Sequence, residues 1–186
     1  MIRFVAAAAT SLLIAGAAFA GTDMNFPSFS GINIHGGGHV VLRYGKVQRV
    51  TVIKGDLNKI DLHMSGNTLE ISPCKNWCWG NNPLEVEIVS PRITSLDVHG
   101  GGELEATGDF PRQADLRVQV HGGGELDARA IPADSVTADV HGGGDAKVKA
   151  LVSINANVHG GGDLVYTGNP QHISSQTHGG GSISKE

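Results

Sequence analysis

Hydrophobic and polar residues alternate along the chain between residues 95 and 166. Four segments in this stretch align without gaps around three glycines: SLDVHGGGELEA, RVQVHGGGELDA, TADVHGGGDAKV and NANVHGGGDLVY. Alternation with a period of two predicts β-strands that have one buried and one exposed face. The sixteen positions predicted to be buried are Leu96, Val98, Leu104, Ala106, Val118, Val120, Leu126, Ala128, Ala138, Val140, Ala146, Val148, Ala156, Val158, Leu164 and Tyr166.

The tetrapeptide His-Gly-Gly-Gly occurs six times, at 35–38, 99–102, 121–124, 141–144, 159–162 and 178–181, so that successive copies start 64, 22, 20, 18 and 19 residues apart. A period near twenty is typical of one turn of a β-solenoid. Each glycine in a strand costs roughly 0.5–1 kcal/mol relative to alanine, so the three are expected to build a tight corner. We predict an all-β, parallel β-helix-like solenoid with turns of about 20 residues and a glycine-rich corner. The earlier segments FSGINIHGGGHVVLRYG, VTVIKGD and IDLHMSGNTLEIS are expected to form less regular turns of the same kind.

The first twenty residues differ from the rest, with Arg3 followed by an apolar stretch that ends in Ala18-Phe19-Ala20. This pattern predicts a signal peptide over 1–20, leaving a single exported domain over 21–186, either periplasmic or extracellular. Cys74 and Cys78, the only cysteines, are then expected to form a disulfide, with a redox-active pair as the alternative.

Composition narrows the set of partners. The formal net charge is −4 and the chain has no basic stripe, which argues against nucleic acid. After the signal peptide no second apolar run is long enough to span a bilayer. The open ends of a solenoid leave the oligomeric state undecided.

The sequence resembles the bacterial head GIN domain proteins, a family named for the heads of auto-transporter adhesins. The resemblance rests on the entry segment Phe29-Ser30-Gly31-Ile32-Asn33-Ile34, on VTVIKGD followed by IDLHMSGNTLEIS, and on the units VHGGGEL and VHGGGDL. It implies a right-handed β-helix-like solenoid, without recognised catalytic residues, in exported proteins that adhere to or bind surfaces. The motif histidines depart from the family pattern.

Metal binding is the sharpest chemical hypothesis for these histidines. Strand stacking is expected to place His99, His121, His141, His159 and His178 in a column with a spacing of about 4.8 Å. A second column of Glu103, Glu125, Asp145 and Asp163, across the glycines, could supply oxygen ligands to Zn²⁺ or Cu²⁺. The alternatives are a solvated structural edge, in which carboxylates hold the imidazoles, and a pH sensor.

Catalysis fits the sequence less well. His-Gly-Gly-Gly also forms oxyanion holes in esterases, but the chain has no G-x-S-x-G motif, and one oxyanion hole does not need six copies. We therefore predict a non-enzymatic exported protein, with no required cofactor, that binds a surface glycan, an envelope component or another protein. The alternative is a periplasmic protein that binds a transition metal through the stacked histidines.

Overall fold

The computed structural model describes residues 21–75 and 83–186, which form one mixed sheet of fifteen strands. The strands are β1 (Thr22–Met24), β2 (Gly31–Gly36), β3 (His39–Tyr44), β4 (Arg49–Lys54), β5 (Asp61–Ser65), β6 (Thr68–Ser72), β7 (Glu85–Ser90), β8 (Ser95–Gly100), β9 (Glu103–Thr107), β10 (Gln113–Gly122), β11 (Glu125–Gly142), β12 (Asp145–Gly160), β13 (Asp163–Thr167), β14 (His172–Gly179) and β15 (Ser182–Lys185). These residues contain no helix, and thus none that could span a membrane.

The motif glycines divide the parallel strands into two layers. The layer before the glycines runs through β6, β2, β8, β10, β11, β12 and β14, and the layer after them runs through β7, β3, β9, β11, β12, β13 and β15. The long strands β11 and β12 belong to both layers, because each continues from one motif to the next. Every motif is in register with the next, so equivalent residues of successive repeats lie side by side.

The alternating apolar residues fill the space between the layers. All sixteen positions predicted to be buried are at most 9% exposed, which confirms the assignment of the inward face. Small and large side chains share the rows, as in Leu126 beside Ala146 and Ala146 beside Leu164. Burial of these aliphatic side chains is the main favourable contribution to folding.

The first third of the described chain departs from the expected regular parallel turns. Strand β4, which overlaps VTVIKGD, is antiparallel to both β1 and β7, and β5 forms an antiparallel pair with β6. The sheet is therefore mixed, and its N-terminal end is closed by hairpin-like pairings. At the other end β14 and β15 each pair on one side only within the described chain.

The structure confirms the all-β class. The described strands form a curled mixed sheet, because β1, β4 and β5 pair antiparallel with their neighbours. The predicted signal peptide, 1–20, lies outside the described residues. Cys78 also lies outside them, so its disulfide with Cys74 stays a prediction.

Candidate functional site

Six stacked imidazole rings run along the outer surface of the first layer. His35, His99, His121, His141, His159 and His178, called the histidine ladder here, have successive ring-centroid distances of 5.4, 4.6, 4.9, 4.9 and 4.9 Å. The three interior pairs are within 3–6° of parallel, and the two end pairs are inclined by 17°. The spacing follows from the strand register, in which each ladder histidine is paired with the next one.

The three glycines of a motif occupy different structural environments although they are identical in sequence. In the third motif, Gly122 has φ of +112°, a conformation that L side chains rarely adopt, and a Cβ there would lie 2.7 Å from Gly100 O. A Cβ on Gly124 would meet Gly102 O at 2.6 Å and Val98 Cγ1 at 2.7 Å. Close packing of successive corners therefore requires the first and third glycines.

The middle glycine of each motif has no such requirement. A Cβ on Gly37, Gly101, Gly123, Gly143, Gly161 or Gly180 would have no atom within 4 Å, and none of the six has a positive φ. All six are exposed and lie beside the histidine ladder. The corner is therefore bare where the backbone alone would accept a side chain.

Most of the ladder has no polar side-chain partner among residues 21–75 and 83–186. In the described chain, His99, His121, His141, His159 and His178 form no hydrogen bond or ion pair with any side chain. His35 is the exception, because its Nε2 lies 2.7 Å from Glu70 Oε2. The pairing of β6 with β2 places Glu70 beside Asn33 and within reach of His35. Pro73, just after β6, lies against Gly36, so the row of motifs ends there. The ladder thus has a carboxylate at one end and a free ring at the other.

The predicted carboxylate column forms, but its groups are engaged elsewhere. Glu103 lies 3.1 Å from His39 Nδ1, and Glu125 accepts a 2.8 Å bond from Lys147 Nζ that raises the pKa of the lysine. Asp145 Oδ1 accepts the backbone N–H of Asp163 at 3.0 Å, while Asp163 Oδ1 accepts Ser182 N and Oγ at 3.0 and 2.7 Å. These carboxylates link neighbouring repeats.

The two columns do not touch each other in the described chain. None of the five predicted histidines donates a hydrogen bond to Glu103, Glu125, Asp145 or Asp163. Residues 21–75 and 83–186 contain no group of three or more His, Cys, Asp or Glu arranged to hold a metal. The sequence interpretation also left His35 out of the ladder, although Ile32 and Ile34 before it carry the same alternation. It missed His39 in the carboxylate column, where the register places it beside Glu103.

A polar row lies two residues before the histidines and contains one unfavourable charge. The row consists of Asn33, Asp97, Gln119, Asp139, Asn157 and Gln176. Burial raises the pKa of Asp97, and its hydrogen bond from Ser95 and the nearby His99 and Arg117 offset this only in part. Asp97 Oδ1 has no hydrogen-bond partner, whereas Asp139 Oδ1 accepts Asn157 Nδ2 at 2.7 Å.

Replacing Asp97 by asparagine is expected to raise the free energy of unfolding at pH 7 by up to about 1 kcal/mol, because it removes a partly buried charge. A carboxyl whose folded pKa is raised stabilises the fold below its unfolded pKa and loses that contribution as pH rises through the folded pKa. The gain of Asp97→Asn should therefore vanish below about pH 4. Urea unfolding at pH 3.5, 5 and 7 measures it. The control Asp139→Asn should bring no gain, and an equal gain from both variants would contradict the argument.

Comparison with known proteins places this geometry in a family. Residues 28–114 and 111–170 match the family described as "Putative auto-transporter adhesin, head GIN domain". The chain belongs to this family, as the sequence resemblance predicted. A comparison with curated proteins found no match.

One solved structure supports the fold. A crystal structure described as a "putative adhesin" from Bacteroides fragilis is 20% identical, covers 89% of this chain and 96% of its own, and has a TM-score of 0.55. A "putative cell adhesion protein" from Clostridium sporogenes is 18% identical over 89% of this chain and 98% of its own, with a TM-score of 0.43. At 20% identity the first similarity concerns the fold alone.

Proposed function

We propose that this protein is a non-enzymatic exported protein, periplasmic or extracellular, that binds a surface glycan through the histidine ladder and the adjoining middle glycines, called the ladder face here. The in-register parallel strands also lead us to propose that residues 95–186 coil as a right-handed parallel β-helix. The family description names an adhesin rather than a reaction, and the two solved structures above are likewise described by adhesion.

The observation that carries the proposal is a polar surface kept bare without a structural need. Five imidazole rings offer nitrogen atoms that no side chain of the described residues uses, at a spacing of 4.6–4.9 Å. The exposed middle glycines beside them let a ligand approach the backbone closely. A regular row of hydrogen-bonding groups suits a polymer that repeats its hydroxyl groups along its length.

The same surface is a poor match for a protein partner. Stable protein interfaces centre on buried aromatic and aliphatic side chains. The large apolar residues exposed in the described chain are Tyr44, Val47, Leu57, Val152 and Ile173, and none belongs to a motif. The polar character of the ladder face therefore favours a carbohydrate.

A glycan array carrying bacterial surface polysaccharides tests the proposal. The purified protein should bind at least one class, and a variant with Gly101, Gly123 and Gly143 each replaced by glutamine should bind at least tenfold less tightly, because the new side chains cover the ladder face. The control places glutamine at Asp115, Asn155 and Ser174, exposed positions on neighbouring strands outside the motifs. No binding to any glycan would overturn the ligand class. Equal binding by both variants would overturn the assigned surface.

A further inference from the structure

We propose that adjacent rungs of the histidine ladder form pairwise sites for a divalent transition-metal cation such as Zn²⁺ or Cu²⁺, with imidazole nitrogens as the only protein ligands. The inference uses the ladder face of the proposed function but does not depend on a glycan. It differs from the donor set expected from the sequence, because the carboxylate column is excluded and His35, whose Nε2 already contacts Glu70, is included through its Nδ1.

The choice of metal ligands follows from which side chains already have partners in the protein. Glu125 contacts Lys147, and Glu103 contacts His39. Asp145 and Asp163 each accept a hydrogen bond from a backbone N–H of the following repeat. Withdrawing any of these oxygens would break a contact between repeats. The five rings from His99 to His178 have no hydrogen bond to lose, and imidazole nitrogen is a good ligand for zinc, copper and nickel.

The spacing of the rings allows bridging once two rings turn toward each other. A metal–nitrogen distance of about 2.0–2.1 Å requires the two donor nitrogens to lie within about 4.2 Å of each other. Interior ring centroids are 4.6–4.9 Å apart and the rings are nearly parallel. Because the lone pair of an imidazole nitrogen lies in the ring plane, each ring must turn by roughly 55° to face a tetrahedral ion between them. Within the described chain no side chain holds the rings from His99 to His178 in place, and water completes the coordination shell.

The need for two adjacent histidines can be tested directly. A ladder of six rings accommodates at most three bridged pairs, and no site remains when every second ring is missing. A variant with His99, His141 and His178 replaced by glutamine keeps three histidines but no adjacent pair. A variant with His35, His99 and His121 replaced by glutamine also keeps three, and His141, His159 and His178 still stack in sequence.

Calorimetric titration with ZnCl₂ and with CuCl₂ at pH 7.5 compares the unmodified protein with the two triple-histidine variants. The unmodified protein and the second variant should bind metal, and the first should lose at least tenfold in affinity. Electron paramagnetic resonance of the Cu²⁺ form should show two nitrogen ligands per ion. Replacing His63 and His172, which lie outside the ladder, by glutamine should change nothing.

The outcomes separate this inference from the proposed function. No metal binding, or equal binding by the two triple variants, overturns the paired sites and leaves glycan binding untouched. The variant with glutamine at Gly101, Gly123 and Gly143 should still bind metal when it no longer binds glycan. Loss of metal binding in the His63 and His172 variant would place the site elsewhere and overturn the inference.

Discussion

Alanine at Gly122 is expected to lower the free energy of unfolding by about 2–4 kcal/mol, among the largest losses for a single added methyl group in this chain. Two effects combine. The residue has φ of +112°, and the new Cβ would lie 2.7 Å from Gly100 O in the neighbouring repeat. Because the oxygen belongs to the backbone, it cannot move away without disturbing the whole corner. Urea unfolding followed by far-ultraviolet circular dichroism measures the loss.

The next residue in the chain provides a matched control. Gly123→Ala adds the same methyl group where no atom lies within 4 Å. Its stability should change little or rise by about 0.4–1 kcal/mol, because alanine reduces the conformational freedom of the unfolded chain. Equal losses in the two variants would show that the corner does not depend on close packing of the first glycine.

Truncation of Ile154 to alanine is expected to lower the free energy of unfolding by about 2–5 kcal/mol. Ile154 is 2% exposed in β12, and its register partner Ile173 in the last strand of the same layer is 52% exposed. Ile173→Ala should therefore cost less than about 1 kcal/mol, since little area is returned to water. Differential scanning calorimetry of both variants tests this. Similar melting temperatures would mean that the end strand is covered by something outside the described chain.

The sequence predicts the repeated part of the fold well because local alternation there determines the buried face. Side chains alternate between the two faces of a strand, so local sequence alone assigns the inward positions, such as Leu104, Val120 and Val158. The N-terminal part is different. Strand β4 has the same alternation, but its antiparallel pairing with β1 and β7 depends on which distant edges are free, and composition does not encode that choice locally.

The histidine site shows the same division. Identical tetrapeptides predict the column of rings, but a gap of 64 residues conceals that His35 lies directly beside His99. Between them the chain passes through β3, β4, β5, β6 and β7 before β8 pairs with β2. Side-chain partners are harder to predict, because they depend on which strands pair. Glu103 contacts His39 and Asp163 contacts Ser182, their register partners in β3 and β15.

The three glycines of each motif also limit what sequence can say. Gly122, Gly123 and Gly124 are equivalent letters, but the first needs an unusual φ, the third needs a close neighbour, and the middle one needs neither. The distinction appears only when successive repeats are stacked. It indicates which positions an engineer can change freely and which ones the architecture holds fixed.

The pairing of β11 with β12 keeps a constant offset across the motif and changes offset between Asp127 and Pro132 and again between Ala133 and Ser135. Unequal repeat lengths are thus accommodated on the side away from the glycines. We therefore expect that side to accept insertions, whereas the glycine corner keeps the spacing of the repeats constant. A foreign peptide grafted near Asp109 or Asn169, two exposed positions between strands, would be displayed from a rigid support without disturbing the spacing of the imidazoles.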